Sequence, residues 1–183
     1  SKNVALFFSA SISARQPQDA LRFEMVTIIR AIYEFITMDV IFCNQRELLI
    51  KLQESNNIDD LLKLVRTNSL GLKSKCFLTS QYSEFQTKIE IIFSAIDQMC
   101  SIEEDLCIRA DEIADRLSAD TGEEFKAITQ TIRITKENLV SSVKALAADY
   151  HEAITDLYEY SLDHPEFSRL ESRLVFCVHH LIK

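Results

Sequence analysis

One apolar stripe in the middle of the sequence constrains the fold more than any other feature. Its twelve members alternate spacings of four and three residues, and all but Glu103 are apolar. The stripe comprises Leu78, Tyr82, Phe85, Ile89, Ile92, Ile96, Met99, Glu103, Leu106, Ala110, Ile113 and Leu117. Such heptad spacing is typical of a coiled-coil seam and predicts one helix over 80–117. A capping box of Ser101 and Glu104 leaves open a second helix that starts there.

The shortage of glycine supports a fold of long helices. The chain has 183 residues with 2 Gly and 2 Pro, where average usage would give roughly a dozen Gly and nine Pro. Sheets and tight hairpins need residues that accept positive φ, so this chain can make few such turns. We therefore expect an all-α fold with few connections.

Two adjacent apolar stripes predict that the first long helix, over 18–53, is covered on most of its circumference. The first stripe comprises Leu21, Met25, Ile28, Ile32 and Phe35, and the second comprises Val26, Ile29, Tyr33, Ile36 and Val40. Pro17 opens this helix, and residues 1–16 have no clear period, which indicates an arm or a short helix.

Capping residues suggest the remaining boundaries. Asn57 is a plausible N-cap for a helix over 58–69, and Gly71 suits the position after its end. A hairpin turn is expected at Thr121, Gly122 and Glu124, before a helix over 122–161. The last helix, over 165–182, should begin with a capping box and be largely buried. That box comprises Asp163 and Glu166, with Pro165 in the first turn.

These patterns predict one domain over 1–183, a helical bundle built around a long antiparallel helical hairpin with coiled-coil-like packing. Its expected parts are an N-terminal arm at 1–16, N-terminal helices at 17–75, the hairpin at 78–162 and a closing helix at 165–183.

The returning hairpin helix slips in phase near 135–143, so it cannot cover the whole stripe in one register. The part of the hairpin opposite this slip should need a third helix or a second chain to complete its core. The apolar residues concerned are Ile92, Ile96, Met99, Leu139 and Val143. If the other helices do not cover them, they form a groove that binds a partner.

An acidic run lies near the predicted hairpin tip. Its members include Glu103, Glu104, Asp111, Glu112 and Asp115. The run is either a solvated helix face or a docking surface that steers a basic partner toward the groove. Helix-borne carboxylates lack the loop oxygens that calcium prefers, so calcium is the least favoured interpretation.

Charge and cysteine content narrow the partners and the compartment. The formal net charge is −8; residues 1–78 carry +2 and residues 79–183 carry −10. Nucleic acids and anionic lipids select basic surfaces, so we expect no nucleic-acid partner and disfavour a membrane partner. Five cysteines without short paired spacing favour reduced thiols in the cytoplasm.

No motif in the sequence fixes a chemistry. There is no Glu-x-x-His pair for a di-iron bundle, no Gly-rich phosphate loop and no nucleophile elbow. Cys177, His179 and His180 offer too few ligands for a metal. Catalysis by Cys100 or Cys107 would require His151 or His164 nearby. We therefore predict no catalytic residues, no metal and no cofactor.

Three classes of function remain, in order of preference. The first is a non-enzymatic interaction or scaffold module that binds through an exposed face of the hairpin. Its partner would be another protein with a basic surface or a second copy of this chain. The second is a membrane-associating helical dimer that resembles BAR domains in outline, although the acidic hairpin counts against it. The third is an enzyme whose site the sequence does not reveal.

Overall fold

The computed structural model describes residues 2–55, 57–119 and 125–179, which form helices and short connections without a β-strand. The all-α helical fold is thereby confirmed. The elements are α1 (Lys2–Glu34), a π-helix (Phe35–Phe42), α2 (Cys43–Glu54), α3 (Ile58–Lys75), a 3-10 turn (Ser80–Tyr82), α4 (Ser83–Ala119), α5 (Phe125–Asp163), a second 3-10 turn (Pro165–Phe167) and α6 (Ser168–Val178).

The long apolar stripe forms one continuous helix, as predicted. Helix α4 has 37 residues and passes through Ser101, whose Oγ donates a hydrogen bond to the Asp97 carbonyl at 3.1 Å. Ser101 therefore bonds back to the preceding helical turn and caps no second helix. Helix α5 follows with 39 residues. The predicted capping residues between α4 and α5 lie outside the described residues.

Helix α1 begins earlier than the sequence predicted. It starts at Lys2 and continues through Pro17, so the expected N-terminal arm at 1–16 is wrong where the structure describes it. An internal proline removes one backbone hydrogen bond, which is why the sequence suggested a boundary there. The many other hydrogen bonds of a 33-residue helix offset that loss.

The chain divides into two compact units, while the single domain over 1–183 stays a prediction. Unit 1 comprises Ser1–Met25 and Ile92–Glu152, and unit 2 comprises Val26–Ile91 and Ala153–Lys183. The division points at residues 25, 91 and 152 fall within α1, α4 and α5.

Unit 1 combines parts of α1, α4 and α5. Among its described residues, the buried apolar side chains are those of Leu21, Met25, Ile92, Ala95, Met99, Ile128, Val143, Leu146 and Tyr150. Two polar contacts join α1 to the other helices: Arg22 Nε donates to Glu103 Oε1 at 2.9 Å, and His151 Nε2 lies 2.7 Å from Glu24 Oε2. Helix α1 is therefore the third helix that completes this core.

Unit 2 has an aromatic core at its centre. The Phe167 ring lies 4.3 Å from that of Phe77 and 4.4 Å from that of Phe85, measured between centroids. Phe35 stacks on Phe77 at 5.7 Å. The apolar residues of α6 continue this core, because Leu170, Leu174 and Val178 are fully buried. The prediction of a largely buried closing helix is confirmed only for this one face, because Phe176 on the same helix is 83% exposed.

The end of α3 differs from the prediction and depends on an unusual backbone conformation. Gly71 lies inside the helix, which ends at Lys75, and Phe77 adopts a φ of 61°. The Phe77 amide donates to the Ser74 carbonyl at 2.8 Å and the Leu78 amide to the Lys73 carbonyl at 3.1 Å. These two bonds form a Schellman motif with phenylalanine where glycine is usual. The aromatic core holds the Phe77 ring, which explains why this residue can occupy the position.

The π-helix keeps one side of the first long helix buried. Buried residues follow at Phe35, Val40 and Asn44, spacings of five and four, whereas a continuous α-helix would bury position 39. Because π-turns are wider, Asp39 lies beside α6 and Val40 takes the core position. Asp39 Oδ2 accepts hydrogen bonds from Arg173 Nη2 at 2.9 Å and Nε at 3.1 Å.

The second stripe of the first long helix faces outward. Val26 and Tyr33 are 58% and 65% exposed, and Val40 is the stripe's one buried member. The prediction that this helix is covered on most of its circumference is therefore wrong. The first stripe, together with Val40, provides most of its packing.

The predicted helix caps give mixed outcomes. The Asn57 side chain accepts a hydrogen bond from the Asp59 amide at 3.0 Å, which confirms it as the N-cap of α3. The capping box of Asp163 and Glu166 does not form, since the turn begins at His164 without a side-chain cap. His164 Nδ1 instead lies 2.8 Å from the Tyr160 carbonyl.

Candidate protein-interaction site

The apolar residues predicted to form a partner groove lie mostly in the core of unit 1. Ile92 is fully buried, and Met99 and Val143 are 3% exposed. Ile96 and Leu139 are half-buried. Ile92, Met99 and Val143 are therefore covered within this chain. A role of the five residues in binding a partner stays a prediction.

Glu103, the polar break in the heptad, is an ion-pair partner. Its carboxylate accepts hydrogen bonds from both Nε and Nη2 of Arg22. The hydrogen bond to Glu103, and next its negative charge, raise the pKa of the Arg22 guanidinium. Glu103 therefore links α4 to α1 and is not part of a free acidic surface.

The remaining acidic candidates form one exposed surface on α4. Glu104, Asp111, Glu112 and Asp115 are all exposed, and their spacings of seven, one and three place them on neighbouring positions of one helix face. We call these four residues the acidic face. No described basic side chain lies within ion-pair distance of them. The carboxylates of the acidic face are therefore exposed and form no ion pair among the described residues.

A small cavity lies next to the acidic face, between α4 and α5. Its volume is about 200 Å³, and it is lined by Ile113, Arg116, Ala127, Ile128 and Thr131. The Thr131 hydroxyl donates to the Ala127 carbonyl of its own helix at 3.0 Å. Among its described lining residues, Arg116 is the one charged side chain. The lining brings the end of α4 beside the start of α5.

The remaining candidates for chemistry are dispersed. Within the described ranges, no group of three or more His, Cys, Asp or Glu could hold a metal ion. Cys100 and Cys107 are exposed and the other three cysteines are half-buried, and burial raises the pKa of the Cys76 thiol. Among the described helices, none combines the length and apolar character needed to cross a membrane.

Sequence reasoning missed the exposed apolar side chains of the first and third helices. Examples are Tyr33 and Phe42 on the first long helix, and Ile58 and Leu62 on α3, all more than half exposed. Apolar periodicity cannot distinguish a stripe that packs within the chain from one that packs against a partner.

A helical molecule whose prominent surface features are an acidic face and exposed apolar side chains is a protein-interaction module. The comparison with known families agrees. A sequence profile of the family described as "Gamma tubulin complex component C-terminal" matches residues 6–178, so the chain belongs to this family. Proteins of this family are structural scaffolds that assemble with other proteins, and the family is not a known enzyme family. A search of curated proteins finds no match.

Proposed function

We propose that this chain is a helical scaffold module of a γ-tubulin complex and that it binds γ-tubulin directly. The observation that carries the proposal is the family match, which spans residues 6–178 and so includes both compact units. The exposed acidic and apolar surfaces support a role in binding over a role in chemistry. A cytoplasmic location, as the cysteine content predicts, suits such a complex.

Size-exclusion chromatography with light scattering tests this proposal. The purified chain mixed with purified γ-tubulin should elute as a complex whose mass equals one copy of each. Separate elution of the two proteins at concentrations that saturate most specific interfaces would contradict the proposal. The same measurement on the chain alone reports its oligomeric state, and we propose a monomer because the hairpin core is complete within unit 1.

The acidic face supports a second, finer part of the proposal. We infer that it steers a basic surface of the partner, because its four carboxylates form no ion pair with a described basic side chain. Complementary charge increases association rates and makes them sensitive to salt. The double substitution Glu112→Lys and Asp115→Lys should therefore slow association with γ-tubulin and weaken its salt dependence.

A matched control separates this local effect from net charge. Asp149→Lys with Glu152→Lys makes the same charge change at two exposed positions on α5. Association rates measured by biosensor should fall for the acidic-face variant and change little for the control. Equal rates for the two variants would show that the acidic face has no specific role.

A further inference from the structure

A line of exposed apolar side chains follows the outer side of the first long helix in unit 2. We call it the apolar ridge. It comprises Val26, Tyr33, Met38, Phe42 and Leu49, which are 58%, 65%, 54%, 57% and 61% exposed. Surface leucines and phenylalanines are common singly, but a row of five on one helix is not.

The apolar ridge stays on one face because the π-helix adjusts the phase. Its spacings are seven, five, four and seven residues. Seven residues make about two α-helical turns. The spacings of five, from Tyr33 to Met38, and of four, from Met38 to Phe42, stay on the same face because the π-turns are wider. The buried line through Ile28, Phe35, Val40 and Asn44 follows the opposite side with the same change of spacing. The ridge is therefore one continuous surface that points away from the core.

The size and composition of the apolar ridge fit an interface. Its five side chains expose roughly 500–600 Å², if a large side chain has about 150–250 Å² when free. That equals the largest apolar patches of monomeric proteins, which are often functional. Aromatic residues, Met and Arg are also the types enriched at interfaces. The ridge contains two aromatic residues and one methionine.

Two exposed arginines, Arg30 and Arg46, lie on the same helix face as the apolar ridge. The carboxylates of Glu34 and Asp39 follow Tyr33 and Met38 in the chain, and both accept hydrogen bonds from Arg173 of α6. Arg30 Nε lies 3.5 Å from Glu34 Oε1. The Glu34 carboxylate is shared, however, because its Oε2 accepts a hydrogen bond from Arg173 Nη1 at 2.6 Å. A partner of this surface therefore needs an apolar strip with carboxylates near its two ends.

We propose that the apolar ridge is a docking surface for a different protein, one that presents an apolar strip flanked by carboxylates. The inference rests on the proposed function, since that partner is taken to be γ-tubulin. Buried aromatic side chains would provide most of the binding free energy, with the arginines pairing at the edge.

The charges on the apolar ridge disfavour a second copy of the chain as the occupant. Arg30 and Arg46 are each eight residues from Met38, so an antiparallel pairing centred on Met38 brings Arg30 of one copy against Arg46 of the other. A parallel pairing brings each arginine against itself. The acidic face of a second copy would supply carboxylates to the arginines. Among the described residues near those carboxylates on α4, however, Ile108 is the one large apolar side chain that is exposed. The acidic face of a second copy would therefore leave most of the apolar ridge uncovered.

The test measures binding of purified γ-tubulin to the full chain and to two double variants. Tyr33→Ser with Phe42→Ser removes the aromatic centre of the apolar ridge. Leu162→Ser with Phe176→Ser removes two apolar side chains of α5 and α6 that are 52% and 83% exposed and serves as the control. The ridge variant should bind at least about thirtyfold more weakly, and the control within about twofold of the unmodified chain. Unchanged circular dichroism and urea midpoints establish that both variants are folded.

Three outcomes would overturn the inference, and they are distinguishable. If the unmodified chain binds γ-tubulin and the ridge variant binds equally well, the ridge is not the interface, while the proposed function stands. If the unmodified chain binds no γ-tubulin, the proposed function fails and the inference with it. If light scattering shows a dimer that the ridge variant abolishes, the occupant is a second copy.

Charge reversal provides an independent readout of the partner's chemistry. Arg30→Glu with Arg46→Glu should weaken binding about tenfold or more, because each carboxylate of the partner would then face a like charge. Arg30→Lys with Arg46→Lys should retain most of the affinity. Equal binding by the glutamate variant would show that the partner presents no carboxylates to the ridge.

Discussion

Replacing Phe77 by glycine and, separately, by alanine measures the strain in the backbone at the end of α3. Both substitutions remove a ring that is 4% exposed and packs against four other aromatic residues. Removing a buried phenylalanine typically destabilises a protein by about 3–5 kcal/mol. The two variants share this loss, so their difference isolates the backbone contribution.

The φ of 61° at Phe77 predicts which variant is more stable. An L-residue with a side chain costs about 1–2 kcal/mol in the left-handed region, which glycine occupies freely. Glycine loses about 0.4–1 kcal/mol more backbone entropy on folding. The glycine variant should therefore be the more stable by about 1 kcal/mol, the reverse of the order expected inside a helix.

Urea denaturation followed by circular dichroism provides the assay. The midpoint of the glycine variant should be higher than that of the alanine variant at the same slope. Gly71→Ala is the control, because Gly71 lies inside α3 and an added Cβ would meet nothing within 4 Å. That control should stabilise the chain. Equal midpoints for the two Phe77 variants, or a higher one for alanine, would refute the argument from strain.

Three further predictions follow from local contacts. Asn57→Ala should destabilise α3 by about 1 kcal/mol, since a side-chain cap is lost, whereas Thr67→Ala in the same helix should change the urea midpoint little. Asp39→Asn should destabilise unit 2 by about 1.5–3 kcal/mol, because the charged hydrogen bonds from Arg169 and Arg173 of α6 weaken. An unchanged melting temperature would show that these hydrogen bonds do not hold the π-helix. Cys76 should react with a thiolate-specific reagent more slowly than Cys100 at pH 8, because burial raises its pKa and lowers its thiolate fraction; comparable rates in the folded protein would contradict this.

The sequence predicted those parts of the fold that depend on local patterns. The heptad spacing identified α4 as one helix through Ser101, and the N-cap preference of asparagine identified the start of α3. Burial of one face of the closing helix followed from its apolar spacing. Each of these depends on side chains within a few turns of one another, which a sequence displays directly.

The errors occurred where packing between distant segments decides the local structure. Phe77 takes the left-handed conformation because the aromatic core holds its ring, whereas residue preferences pointed to Gly71. Val40 fits an α-helical stripe in the sequence, so the pattern concealed the π-turn that places it in the core.

The candidate site was predicted only in its polar half. The acidic face is exposed, as expected, because charged side chains remain in solvent regardless of partner. Ile92 and Met99 belong to the core because α1 covers them, and the spacing within α4 could not reveal where α1 would lie. Val26 and Tyr33 of the apolar ridge were assigned to the interior for the same reason.

The π-helix also bears on how this chain can vary in length. A π-turn is an α-helix that has accommodated one additional residue, and here the change of phase is complete within Phe35–Phe42. Deletion of one residue from this segment would convert it to α-helix while α1 and α2 keep their present faces. The first long helix can thus gain or lose a residue at this point without repacking either end. We therefore expect insertions and deletions to be tolerated here, and not within the uniformly spaced heptads of α4.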